Sequence, residues 1–226
     1  MKSHFLKKIV SLVLCLAIFI CALTSNVFAD TIYLPNWECD TSYEIHYWPT
    51  LPTTVYSYVF SGMPSHISQN VQNAISQWNT GMNFSMNYYE STSQSANSTN
   101  IKIFSGYKED LLAIGCFNAG DINHSQVAGV TSCSRVLVTT DNYKLRNGTS
   151  IRVLKISRAS IAICNLSEKY MSSSYNDYQS VISHEMGHAM GWYGHSSSND
   201  LLMYEGDVIQ TAPTESDIKH VKQMYD

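Results

Sequence analysis

HEMGHAMGWYGH, from His184 to His195, is the stretch that decides how this chain is read. On an α-helix, residues four apart lie on one face, so His184 and His188 turn two imidazoles to the same side. Two such rings can bind one divalent ion. Glu185 stands beside them without being needed as a ligand, placed to hold a water on that ion and accept its proton. A catalytic zinc takes three protein ligands and keeps one position open. His195 is available as the third, just past Gly191 and Gly194. Two histidines four apart also occur by chance on ordinary helices. The third histidine beyond a glycine bend is what favours a metal site. A purely structural zinc site would use four protein ligands, often thiolates, and the sequence has no CxxC spacing.

The residues before this stretch form its helix. Asn176 followed by Gln179 has the spacing of a capping box, and Asp177 adds negative charge where the helix dipole is positive. Val181, Ile182, Met186, Ala189 and Met190 supply its apolar positions, and Gly191 is placed to end it. Further out, Ser65 to Trp78 sets Ile67, Val71, Ala74, Ile75 and Trp78 at helical spacing. A terminal helix is expected from about Thr214 to Tyr225, capped by Thr214 and Asp217. Strands are expected at Thr41 to Trp48, Phe84 to Tyr89, Ile101 to Phe104, within Val127 to Thr140, and at Ala159 to Cys164. Glu90 to Asn100 is polar and low in complexity, and reads as an exposed loop. Strands and one helix first, then two helices, imply an α+β domain whose twisted sheet packs against the long helices.

The chain has 226 residues, only 14% of them charged, and a net charge of -4. That balance argues against a nucleic-acid partner, which needs clustered Lys and Arg. The one basic cluster, Lys2, Lys7 and Lys8, precedes the apolar run Ile9 to Leu23 and the small-residue pattern ending at Ala29. This is the form of a secretory signal peptide, 1–29. The run is shorter than the roughly 20 residues that span a bilayer. A secreted domain, 30–226, is then expected, extracellular and monomeric, with no membrane association. It is long enough to bury roughly 70% of its unfolded surface. Four cysteines remain in it: Cys39, Cys116, Cys133 and Cys164. In an exported chain they invite disulfides, with three pairings open. Cys116 with Cys133 and Cys39 with Cys164 is the expected set.

HExxH, a glycine three residues later, a third histidine and a downstream methionine together resemble the metzincin clan of zinc peptidases. His195-Ser196-Ser197 and Leu202-Met203-Tyr204 resemble its matrixin branch, in which the methionine also lies eight positions after the third histidine. The resemblance implies a metzincin-like catalytic domain: a twisted mixed sheet against two long helices, with a C-terminal helix. It implies a Met-turn at Met203 beneath the metal, with Tyr204 helping to shape the pocket. More weakly, Gln77-Trp78-Asn79 looks like the end of that fold's first helix. One departure stands out. Three residues, Trp192, Tyr193 and Gly194, separate Gly191 from His195, where the family usually has two. Gly194 is expected to absorb the extra residue so that His195 still binds. Cys39 lacks the motif of the family's inhibitory propeptide cysteine.

The reading is therefore a secreted zinc endopeptidase. His184, His188 and His195 would bind Zn2+, and Glu185 would activate the water that hydrolyses a peptide bond. An edge strand at Gly129 to Cys133 would align an extended peptide substrate. Calcium is a second candidate ion, on Asp121, Asp141 and Asn142, although no loop has a regular calcium spacing. His66, His124 and His220 read as surface or capping residues. The competing functions are a binding protein or adhesin on the same scaffold, and a metal-dependent hydrolase of cell-wall peptides.

Overall fold

The structure, a computed structural model, describes residues 31–93, 100–115, 117–122, 127–138, 142–169, 174–207 and 209–225. The proposed signal peptide, His124 and Asp141 lie outside these. Residues Ile32–Asp226 form one compact unit.

A six-stranded sheet carries the architecture. Its strands are β2 (Glu44–Tyr47), β3 (Thr54–Val59), β4 (Asn87–Glu90), β5 (Ile101–Gly106), β6 (Gly129–Leu137) and β8 (Arg152–Cys164). Two short strands, β1 (Ile32–Tyr33) and β7 (Tyr143–Lys144), pair separately. In the main sheet β8 is the spine. Its first residues pair in parallel with β2 and its last with β5, which continues through β3 to β4, all parallel. Along its other edge β8 pairs with β6 alone, antiparallel. The sheet is thus mixed, and β6 is its antiparallel edge. Ile101, Ile103, Ile161 and Ile163 are fully buried, as expected for central strands covered on their faces.

Two helices pack together on this sheet. The first, α1 (Ile67–Met82), buries Ile67, Val71, Ala74, Ile75, Trp78 and Met82 along one stripe. It begins two residues after the expected start and runs four beyond the expected end, where Asn83 takes a left-handed φ of 58°. After two short helices, α2 (Lys108–Ala113) and α3 (Ala119–Ile122), comes the long α4 (Tyr175–Met190). Its cap is not Asn176. Ser174 is the N-cap: its hydroxyl accepts from the Asp177 N–H while the Asp177 carboxylate accepts from the Ser174 N–H. The reciprocal Ser/Asp pair two residues upstream closes two open backbone donors and so starts the helix earlier. Gly191 ends α4 at φ 127°, as expected. The terminal helix, α5 (Glu215–Lys222), carries the expected Thr214–Asp217 box.

Two segments differ from the expected strands. Thr54–Val59, a β-branched and aromatic run, is a strand between β4 and β5 in the sheet. The last expected strand, Ala159 to Cys164, is only the second half of β8; the first half mixes buried Val153, Leu154 and Ile156 with exposed Arg152, Lys155 and Arg158. No disulfide is formed among the described residues. Cys39 and Cys133 carry free thiols, and Cys39 donates to the Tyr193 carbonyl at 3.1 Å. Cys39 and Cys164 belong to different hydrophobic clusters. Cys116 lies outside the described residues.

Asp217 does more than cap. Fully buried, its carboxylate accepts from the N–H of Leu202 at 3.0 Å and of Met203 at 3.3 Å, and from Thr214 at its N–H and hydroxyl. Removing it leaves buried donors unpaired. Asp217→Ala is expected to cost about 3 kcal/mol, lowering Tm by about 6–12 °C in a domain of this size. Thermal unfolding of the variant checks this, and an unchanged Tm contradicts it.

His220 is neither a surface nor a capping residue. It is buried between Trp37 and Trp192, with ring centroids at 4.8 and 3.9 Å, and its Nδ1 accepts from the Glu38 N–H. Burial pushes its pKa from 6.5 down to about 3. Between those values the unfolded chain binds a proton that the fold refuses, so stability falls as pH drops below about 6.5. From pH 7 to 5 this group alone should remove about 1–2 kcal/mol. Denaturant unfolding of wild type and His220→Gln at both pH values should show the loss smaller by that amount in the variant.

Candidate metal centre

The three histidines named from the sequence come together. His184 and His188 project from the same face of α4, and His195 follows from the loop after it. Their candidate ligand atoms all lie within 4.8 Å of one another. The ring centroids are 4.8, 5.0 and 5.3 Å apart.

The hydrogen bonds on the outer ring nitrogens fix which atoms face inward. Nδ1 of His184 donates to the Leu202 carbonyl at 2.7 Å, and Nδ1 of His188 to the Trp192 carbonyl at 2.9 Å. Each ring then keeps its proton on Nδ1 and presents a bare Nε2 to the centre, the tautomer that a metal needs. The rings are also uncharged. Burial pushes His184 down to about 4, and burial with the neighbouring imidazoles holds His188 well below its ordinary value. Burial also lowers His195. Three neutral nitrogens of borderline softness, with no other donor among the described residues drawn into the cluster, suit Zn2+.

His195 owes its place to a segment that the sequence did not point to. Its N–H donates to the Thr41 hydroxyl at 2.6 Å, and its carbonyl accepts from the N–H groups of Asp40 and Thr41. Ser197 in turn donates to the Asp40 carboxylate at its N–H (3.0 Å) and hydroxyl (2.5 Å). The extra residue is absorbed where expected, at Gly194, which has φ 83°; a Cβ there would meet the Cβ of Ser42 at 2.7 Å.

The turn at Met203 adjoins the triad through Leu202, whose carbonyl takes the Nδ1 proton of His184. Ser196 N–H donates to the Met203 carbonyl, and Glu205 N–H to the Ser196 carbonyl, so the turn is stitched to the His195 segment. Met203 is fully buried, and its Sδ lies where a Cβ on Gly187 would be. The helix can approach the methionine only because residue 187 has no side chain.

Glu185 is buried at 6% exposure beside the triad. Its Oε2 accepts from the Thr131 hydroxyl at 2.7 Å, and the same hydroxyl reaches the Glu185 carbonyl oxygen at 3.0 Å. Burial pushes this carboxyl up to about 7, with the Thr131 bond pulling the other way. Gly129 lets β6 pass close to this side chain, since a Cβ there would stand 2.7 Å from the Glu185 Cγ. Cavities open on both sides of Glu185. One, of about 430 Å³, is lined by His46, Thr131, Cys133, Arg135 and Tyr193; the other, of about 560 Å³, by Val181, Tyr204, Glu205, Asp207 and Ile209. Tyr204 therefore does line a pocket. The roles of Thr131 and Thr41, and the bonds from Asp217 to Leu202 and Met203 beyond its cap, escaped the sequence reading because their partners lie far along the chain.

Calcium gains no support. Asp121 accepts from the Asn118 N–H at 2.9 Å, and Asn142 uses its carbonyl to pair with Ile32. Among the described residues no helix is long and apolar enough to cross a membrane.

Comparison with known proteins agrees with the geometry. No curated protein sequence matches the chain. Among solved structures the chain is similar to high choriolytic enzyme 1, a hatching enzyme zinc-protease from the medaka fish Oryzias latipes. The identity is 11% and the TM-score 0.37, over 79% of this chain and 94% of that one, and nothing further is built on so loose a likeness. The family model for Matrixin matches residues 53–226, which include β3, both long helices, the three histidines and the Met203 turn. The chain belongs to the matrixin family, and is a zinc metalloendopeptidase acting on protein or peptide substrates.

Proposed function

We propose that this protein is a secreted, monomeric endopeptidase in which His184, His188 and His195 hold the zinc through Nε2 and Glu185 is the catalytic base. The observation that carries the reading is the pairing of three inward-facing neutral imidazoles with one buried carboxylate at the edge of a cleft. Residues 1–29 act as the secretory signal and are removed.

When bound, zinc supplies Lewis acidity that polarises a carbonyl and lowers the pKa of a water towards roughly 7. The chain does the rest. β6 offers its free edge, so an extended peptide pairs with it as an added strand and its scissile bond is carried past Glu185. Glu185, raised by burial to about 7, is a base matched to neutral pH. It takes the proton of the attacking water and hands it to the departing amine. The Thr131 hydroxyl fixes the carboxylate for both transfers. Leu202 and Trp192 keep the rings of His184 and His188 from turning.

Glu185→Gln should keep full zinc and lose activity by about 10^3-fold, the range of general acid–base assistance. Zinc content and peptide turnover of one preparation test this, and unchanged turnover rejects the base assignment. His195→Ala should weaken zinc binding by more than about 100-fold, since even outer partners of ligands are worth 10–100-fold. Competition with a chromophoric chelator reads this out. Wild-type affinity in that variant removes His195 from the ligand set.

A further inference from the structure

We infer that the cleft on the Arg135 side of the metal centre selects substrates with an acidic side chain N-terminal to the scissile bond, and that Arg135 is the residue that selects it. This rests on the peptidase reading above.

The cavity of about 430 Å³ runs from the histidines along β6, past Thr131 and Cys133, to Arg135. The guanidinium of Arg135 lies over the ring of Tyr193, 4.7 Å from its centroid, a cation–π contact that restrains it. Behind it is Glu44, 7% exposed, on β2. Glu44 is already satisfied by closer partners: Arg152 at 3.0 Å and His46 at 2.9 Å. Arg135 approaches it only to 3.6 Å. Two guanidiniums thus share one carboxylate, and a positive charge is left over on the cleft side. Through Nη1, Arg135 touches Glu44 and His46; its Nε and Nη2 make no hydrogen bond among the described residues, and 37% of the side chain is exposed. A planar donor, stacked and partly desolvated with its fork unfilled, is suited to a carboxylate.

Charge on the other side of Glu185 is opposite. There Asp177, Glu205 and Asp207 line the second cavity, with no Lys or Arg among its described lining residues. An acidic substrate residue is therefore drawn to one end of the cleft and repelled from the other. β6 runs from Gly129, beside Glu185, towards Arg135. A peptide added antiparallel, the more stable mode of pairing, runs the opposite way and brings its N-terminal side to Arg135. Thr131 marks the level of the cut bond, and Arg135 is four residues farther along the strand, with a register shift between Ser134 and Arg135. At about 3.3 Å per residue on both strands, and with that shift taking up one residue, Arg135 then stands level with the position three or four residues before the cut.

The test uses zinc-loaded protein and a quenched peptide cut at one bond, with Glu, Gln or Lys placed in turn at each position on both sides of it. The wild type should prefer Glu over Gln by about tenfold in kcat/KM at a position N-terminal to the cut, as for a half-exposed charge-assisted pair. Lys should be poorest there. The Glu/Gln ratio should fall to near one in Arg135→Gln, and the order should invert in Arg135→Glu. Because each ratio compares two peptides on one preparation, it does not depend on the fraction folded. A wild type that cuts all peptides alike, an acidic preference found only C-terminal to the cut, or a ratio that survives Arg135→Gln each overturns the inference while leaving the peptidase reading intact. A wild type that cuts none of them overturns that reading and the inference with it.

Discussion

The site depends on two carbonyl oxygens. Leu202 and Trp192 each accept the Nδ1 proton of a histidine on α4, and through those bonds the loop after the helix decides what the helix presents. A histidine four residues from another on a helix is free to swing, flip or protonate. Tied at Nδ1 and pressed into a low-dielectric pocket, it can do none of these. Burial alone would have made the rings neutral, but would not have aimed them. The carbonyls aim them, and each is itself fixed: Leu202 through its N–H to Asp217, and Trp192 by its own burial beneath His220.

That dependence explains two close approaches to α4, each made possible by a glycine. Gly187 faces the sulfur of Met203, and Gly129 on β6 faces the methylene of Glu185. Both are places where backbone must come within van der Waals contact of a side chain that supports the site. The turn at Met203 therefore has a packing role. It brings the Leu202 carbonyl to its ring by resting the methionine on the helix, and Asp217 holds the pair of N–H groups that would otherwise be buried without partners.

What could be read from the sequence was what depends on short range. The four-residue interval of His184 and His188, the glutamate between them, the Thr214–Asp217 box and the stripe of α1 all express a local period, and the structure has them. The errors share the opposite character. β3 is a short apolar run whose partners, β4 and β5, come later in the chain; the front half of β8 is broken by exposed Arg152, Lys155 and Arg158 and shows no clean alternation. The cap of α4 was misplaced because Asn176 and Gln179 fit the spacing as well as Ser174 and Asp177 do; only the backbone could choose between them. Cysteine count suggested disulfides, but pairing is a matter of distance in the fold, and Cys39 is engaged with the Tyr193 carbonyl instead. His220 was misjudged because nothing local shows that two tryptophans, 183 residues apart in one case, close over it.

The loop from Gly191 to His195 bears on why a ligand can survive an extra residue before it. If the path from the helix end set the position of His195, lengthening that path would move the ring. Here the position is set from outside: the Thr41 hydroxyl takes its N–H, the backbone of Asp40 and Thr41 takes its carbonyl, and Asp40 holds Ser197 just beyond. The endpoint is clamped to a segment more than 150 residues away in sequence, a separation of 154. The loop has only to span the gap, and changing the length of such a loop costs little in closure entropy. The remaining demand is steric. The chain must pass beneath Thr41 and Ser42, where a left-handed φ and the lack of a Cβ at Gly194 are both required. The two glycines in this loop are thus unlike in purpose: Gly191 turns the chain out of the helix, and Gly194 lets it reach the third histidine, whose place was fixed by other residues.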